Sequence, residues 1–243
     1  ALVDDQLDVP LLTHLAEDPS ELERVSAATG HTSIDYLAEL GVLDERLVAA
    51  HVVVPTAGEI ERLAARGVGV VHCPQSNLKV GAGVAPVTAM AAAGVAVGLG
   101  TDGAGSNNDL SLWEEADTAA KLQKLALGDP TALDARSAFR MATLEGARAL
   151  DMAESIGSLE VGKRGDVVVV AADGWHQLPQ DAAANPYSFL VYSTKAADVR
   201  AVVVEGRVVV RDGRVLTLDA DAVRRNAARL RRALAAVGPA DGR

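Results

Sequence analysis

Between residues 9 and 150 the chain repeats one pattern, a short apolar run rich in β-branched residues followed by an amphipathic helical stretch. A strand that is apolar at consecutive positions has no polar face to give to water, so both of its faces must be covered. Runs that are each followed by a helix meet that need by pairing in parallel beneath the helices. The pattern predicts strands over 9–15, 47–54, 68–72 and 95–101. Helices are predicted to open at Ser20-Glu21 and at Ile34, to run from Thr56 to a stop at Arg66-Gly67, and to cover 85–93, 110–127 and 134–150. Thr56 with Glu59 has the spacing of a capping box, and Gly67 suits a helix C-terminus. This gives four βα units, where a closed barrel of such units has eight.

After residue 154 the character changes. Valine-rich runs at 167–170, 199–204 and 207–211 are separated by Glu205-Gly206 and Asp212-Gly213, dipeptides that favour tight hairpins. The expected fold class is therefore α/β. Residues 1–154 are expected to form about four βα units of a TIM-like (β/α)8 barrel, 155–218 a small antiparallel module of β-sandwich type, and 219–243 a C-terminal helix and frayed tail.

Composition narrows the partners. With 49% hydrophobic but only 3% aromatic residues, the core must be built from Ala, Val and Leu. A net charge of −10 argues against nucleic acid and against anionic membranes, and reads otherwise as a solvated acidic surface. Cys73 is the one cysteine, which excludes an internal disulfide and fits a reducing, cytoplasmic setting. No apolar stretch approaches the ~20 residues of a membrane span. Residues 1–8 hold three acids and no base, unlike a signal peptide. The first residue is Ala1 rather than Met, as expected of a chain that begins partway through a larger protein.

Each apolar run closes on a reactive side chain: His14, His51, His72 and Asp102, in order. In a parallel barrel the C-terminal ends of the strands are where chemistry gathers. His14 is followed three residues on by Glu17, so an imidazole able to hold a metal and a carboxylate able to shuttle protons could share one cavity. Asp102 stands in Gly100-Thr101-Asp102-Gly103, where glycines let the backbone bend closely round a ligand. Asn108 and Asp109 are good candidates for capping the helix that follows, but a cap does not account for Asp102. Taken singly, each histidine reads as an ordinary core or strand-end residue; the ordered set points to a mononuclear metal hydrolase. His72-Cys73-Pro74-Gln75-Ser76-Asn77 reads as a polar, proline-kinked loop, suited to hydrogen-bonding a substrate or only itself. Cys73 is no partner for His72, since neighbours on a strand point to opposite faces. The glycine clusters match neither a phosphate loop nor a dinucleotide fingerprint, and Ser76 and Ser106 lack a nucleophile-elbow context. His176 reads as a surface residue.

On Thr13-His14-Leu15-Ala16-Glu17, Ala50-His51, His72-Cys73-Pro74-Gln75-Ser76-Asn77-Leu78-Lys79 and Gly100-Thr101-Asp102-Gly103-Ala104-Gly105-Ser106-Asn107-Asn108, the chain resembles the amidohydrolase superfamily. Within it, the chain is similar to deaminases of adenosine-type nucleosides such as 5′-methylthioadenosine and S-adenosylhomocysteine. Met141-Ala142-Thr143 and Gly157-Ser158-Leu159-Glu160-Val161-Gly162 extend the likeness past the barrel. The resemblance implies one divalent metal, Zn or alternatively Fe, and hydrolytic loss of the ring amino group as ammonia. It implies that His14 is a metal ligand on the fifth barrel strand and Glu17 the proton shuttle. His51 would be the sixth-strand histidine facing the attacking water, and Asp102 the eighth-strand ligand and proton acceptor. Glu17 and His51 would also touch the substrate. No role is implied for His72.

The family's first barrel strand carries His-x-His, and none occurs among His14, His31, His51, His72 and His176. The likeness is therefore to the C-terminal half of such an enzyme, whose other half, or a second copy of the chain, would complete it. Two other readings remain open at this level. One is a deaminase of guanine, a triazine or another aminated ring, which a substrate panel would separate. The other is an inactive half-barrel, which metal analysis would expose.

Overall fold

The computed structural model describes residues 9–179 and 181–237. The readings for residues 1–8 and for the tail beyond 237 lie outside the described residues. Two compact units emerge, one of Ala1–Lys163 with Ala172–Ala196, the other of Arg164–Ala171 with Ala197–Arg243.

The first unit is built on four parallel strands, β1 (Leu11–Leu15), β2 (Leu47–His51), β3 (Gly69–His72) and β4 (Val97–Leu99). They lie side by side in sequence order, β1-β2-β3-β4. A doubly wound sheet reverses its order partway; this one does not. Helices α1 (Pro19–Thr29) and α2 (Ser33–Glu39) follow β1, and α3 (Ala57–Ala65) follows β2. Helices α4 (Pro74–Val80) and α5 (Val87–Ala92) follow β3; α6 (Leu112–Leu127), α7 (Ala135–Met141) and α8 (Leu144–Ala149) follow β4. Thr56 and Glu59 make the predicted capping box, each side chain accepting from the other's backbone N–H.

Pairing register divides the sheet by face. Leu15, Leu47, Ala49, Val70 and Val97 enter the hydrophobic core together with Leu63 and Met90. The opposite face carries His14, Ala50, Val71 and Gly98, aligned in register across the four strands. Helix α8 lies against β3 and β4. A Cβ on Gly69 would fall 2.0 Å from the Ala149 carbonyl oxygen, and one on Gly98 would fall 2.8 Å from the Cα of Gly146. Glycine is required at both positions because backbone meets backbone there.

Four details depart from the sequence pattern. The strands are shorter than their apolar runs, since β2 ends where His51 and Val52 take φ of 75° and 45°. The stretch after Cys73 is a helix, α4, with Pro74 in its first turn and Gly81 in the left-handed conformation at its end. That is the placement a short helix prefers for both residues. The single helix expected over 134–150 breaks at Ala142-Thr143, where the Thr143 hydroxyl bonds back to the Phe139 carbonyl at 2.9 Å. Helix α6 starts at Leu112 with Ser111 as its cap, not Asn108 or Asp109.

The second unit holds an antiparallel sheet of β5 (Val167–Val170), β6 (Val199–Val204), β7 (Arg207–Arg211) and β8 (Arg214–Val215), followed by α9 (Ala220–Val237). Both expected hairpins form. Glu205-Gly206 and Asp212-Gly213 each have two consecutive positive φ values, as the turn that matches strand twist requires. No helix of the described residues is long and apolar enough to cross a membrane.

Candidate active site

The C-terminal ends of β1, β2 and β4 deliver His14, His51 and Asp102 to one place. One ligand atom from each of the three lies within 4.8 Å of the others, and among the described residues this is the group of histidine, cysteine and carboxylate side chains close enough to hold a metal ion. His14 points its Nε2 at Asp102 Oδ1, 3.9 Å away, and its Nδ1 at Glu17 Oε2, 3.8 Å away. Glu17 Oε1 stands 4.0 Å from His51 Nε2. The His14 and His51 rings meet edge to face with centroids 4.8 Å apart. His14 is open to solvent, with 62% of its side chain exposed, whereas His51 is fully buried.

Local backbone geometry aims these groups. Ala16, His51, Val52 and Asp102 all have positive φ, between 45° and 75°, so the chain turns sharply as it leaves each strand. After β1 the turn is held by Glu21, whose carboxylate accepts the N–H groups of Ala16 and Glu17 at 2.9 and 2.8 Å. Asp18 caps α1 through Ser20 and Glu21.

Asp102 keeps one oxygen for His14 and engages the other. Its Oδ2 accepts hydroxyls from Ser76 and Ser106, both at 2.6 Å. Burial works against its charge, but the Ser106 and Ser76 hydroxyls and the Gly103 N–H outweigh it and hold the carboxyl down at about 2. Asp102 is thus a carboxylate at any physiological pH. His51 pairs its Nδ1 with Asn77 Oδ1 at 2.9 Å. An amide oxygen accepts, so the ring proton sits on Nδ1 and the lone pair on Nε2. That Nε2 is buried with no hydrogen-bond partner, which suits a group meant to meet a metal or its water.

His72 does not join the cluster. It lies two residues beyond Val70 on β3, fully buried, with neither ring nitrogen hydrogen-bonded. Burial, and next the charge of nearby His51, push it down to about 3, so it stays neutral. Cys73 is 2% exposed. Burial first, then the charges of Asp102 and Glu115, push its thiol up to about 12, far from a reactive thiolate. His176 is exposed and remote in sequence from the cluster, as expected.

Sequence reasoning read Ser76 and Asn77 only as part of a polar loop suited to hydrogen-bonding a substrate or itself, gave no role to Ser106 and overlooked Glu115. The signal for Glu115 was its phase on α6, four residues before Ala119 on a stripe that also buries Ala116, Ala120 and Gln123. An acid on a buried stripe needs partners, and Glu115 has them: Gln75 N–H donates to its Oε2 at 3.1 Å, and the Asn107 amide donates to its Oε1.

The ends of strands in one singly wound parallel sheet thus bring two imidazoles and a clamped carboxylate together. Residues 1–209 match the Amidohydrolase family, and the chain belongs to that family. Among its relatives is a 5-methylthioadenosine/S-adenosylhomocysteine deaminase of Desulforudis audaxviator (strain MP104C), 50% identical over 202 residues, covering 83% of this chain and 46% of the relative. A 5′-deoxyadenosine deaminase of Methanothermobacter thermautotrophicus is 45% identical over 207 residues, covering 85% of this chain and 47% of the relative. The crystal structure of an adenosine deaminase from Xanthomonas campestris with bound zinc superposes with a TM-score of 0.92 at 38% identity, over 97% of this chain and 53% of that one. The chain thus spans about half the length of the curated relatives it matches.

Proposed function

We propose that this chain is the metal-binding C-terminal half of a hydrolytic deaminase acting on the adenine ring of nucleosides such as 5′-methylthioadenosine and S-adenosylhomocysteine. The observation that carries the reading is the convergence of His14, Glu17, His51 and Asp102 at the ends of strands in one parallel sheet. The names of the relatives support the substrate class. Four strands in barrel order, with β1 and β4 each paired on one side among the described residues, support half of an eight-stranded barrel. Leu12, on the face of β1 that also carries His14, is 67% exposed, as a strand awaiting a neighbour would be.

The donor set fits a divalent ion. An imidazole and a carboxylate with an oxygen to spare face each other, and the buried, unpartnered His51 Nε2 looks into the same space. His14 and Asp102 would hold the ion, which is Zn or Fe by ligand type. Since a catalytic zinc usually has three protein ligands, the remaining ones come from the complementary half. When bound, the ion supplies Lewis acidity that makes water a nucleophile near neutral pH. Asp102, ionised by its serine clamp, accepts a proton from the attacking water. Glu17, between His14 and His51, delivers a proton to the ring nitrogen, and His51 steadies the carbon that becomes tetrahedral. Ammonia leaves. The one cysteine, buried in the core, suits a cytoplasmic setting.

Glu17→Gln in the full-length protein tests this. It keeps the side chain's size and removes the titrating proton. Ammonia release from the nucleosides should collapse while the metal stays bound. Turnover near that of the unmodified protein would refute the role of Glu17.

A further inference from the structure

Helix α4 carries two of the groups that shape the site, since Ser76 bonds Asp102 and Asn77 bonds His51. Yet α4 has only seven residues, and the residue at its N-cap, Cys73, makes no side-chain capping bond. A short helix with exposed N–H groups at its start has little to fix its position. The missing acceptor comes from another helix: Glu115 on α6 receives the Gln75 N–H, in the first turn of α4. The other oxygen of the same carboxylate receives the amide of Asn107. Asn107 in turn accepts the Leu110 N–H at 2.7 Å, bracing the turn that holds Ser106. Ser106 is the second hydroxyl on Asp102. Lys79 adds a cross-strut from α4 to the same turn, donating to the Gly105 carbonyl at 2.8 Å. Glu115 is fully buried, so water cannot substitute for either bond.

We propose that Glu115 is a positioning residue of the site: one buried carboxylate joins the two segments that clamp Asp102, and through Asn77 it also sets His51. Its hydrogen bonds reach the cluster only through other residues. Its effect on chemistry rests on the deaminase reading above; its effect on the geometry of Asp102 and His51 does not. Burial, opposed by these two hydrogen bonds, leaves the Glu115 carboxyl raised to about 7.

The bond pattern allows a swap. In Glu115→Gln one acceptor becomes a donor that faces the Asn107 amide, donor against donor. In the double variant Glu115→Gln/Asn107→Asp every bond can reform: the glutamine oxygen accepts from Gln75, its amide donates to the new carboxylate, and that carboxylate still accepts from Leu110. Zinc affinity by chelator competition, kcat and KM from ammonia release, and the thermal midpoint are measured on the full-length protein and both variants. Glu115→Gln is expected to weaken zinc binding and lower kcat by about 10- to 100-fold, the range for residues that orient metal ligands, with KM little changed. The double variant should recover most of both losses. A single variant with unchanged zinc affinity, or a folded double variant no better than the single, would overturn the proposal. Should Glu115→Gln fail to fold, the double variant alone decides: unmodified zinc affinity supports the role and a tenfold loss overturns it. A full-length protein that binds zinc but releases no ammonia from any nucleoside would overturn the deaminase reading, while the zinc measurements still decide the role of Glu115.

Discussion

Replacing Asn77 with alanine isolates what holds His51. In the folded chain His51 and Asn77 are both fully buried, and their one mutual bond, Nδ1 to Oδ1, is 2.9 Å long. Asn77→Ala removes the acceptor and strands the Nδ1–H in a place water does not reach, a cost of about 1–3 kcal/mol. Part is offset, because the Asn77 amide nitrogen is itself buried without a partner and leaves with the side chain. The net loss should be about 1–2 kcal/mol, or roughly 2–8 °C in Tm for a chain of this size. Stability alone would not separate this account from lost packing, so the tautomer is the sharper readout. NMR of the histidine ring nitrogens should find the His51 proton on Nδ1 in the unmodified chain. In Asn77→Ala that preference should weaken. A proton found on Nε2 in the unmodified chain would refute the reasoning, since Asn77 would then be donating and Nε2 would offer no lone pair. An Asn77→Ala chain that keeps both its Tm and its tautomer would refute it equally.

Three further outcomes are expected. Gly69→Ala would drive a methyl group to 2.0 Å from the Ala149 carbonyl oxygen, and should cost at least the upper part of the ~1–3 kcal/mol typical of overpacking; an unchanged urea midpoint would show that α8 does not press on β3. Glu115 binds its proton more tightly folded, at about 7, than its ordinary value of 4.5. Its contribution to stability should therefore be complete below about 4.5, fall as pH rises toward 7 and level off above; a pH series of denaturation curves on the unmodified chain and Glu115→Gln, with the same slope in both, would contradict this. The 243-residue chain by itself should bind zinc weakly and below one equivalent after dialysis; tight one-to-one zinc in metal analysis would show that no further ligands are needed.

The sequence exposed the groups at the strand ends because they recur in order, each closing a run of apolar residues, although any one of them alone reads as an ordinary core or strand-end residue. His14, His51 and Asp102 come together as the alternation of strands and helices implied. Helix α4 escaped notice because Pro74-Gln75-Ser76-Asn77 shows no apolar period; its position is set by tertiary bonds, chiefly to Glu115. Glu115 itself, in Trp113-Glu114-Glu115, reads locally as an ordinary acid in a helix's first turn. The broken helix over 134–150 was hidden for a similar reason. Its helical pattern runs on through Thr143, and the close fit of Gly146 onto Gly98, a contact between distant segments, is not visible in it. Local pattern located the reactive groups, while the residues that aim them depend on contacts between distant segments.

The positive φ angles at the strand ends have a consequence for how such a chain can change over generations. His51 and the β-branched Val52 stand consecutively in the left-handed region, a conformation that costs of order 1–3 kcal/mol for such residues. Random drift under selection for heat resistance alone would favour glycine wherever the backbone bends this way. At 51 the buried ring and its bond to Asn77 oppose that pull, so any substitution there that relaxes the backbone also gives up packing, a hydrogen bond and an imidazole at once.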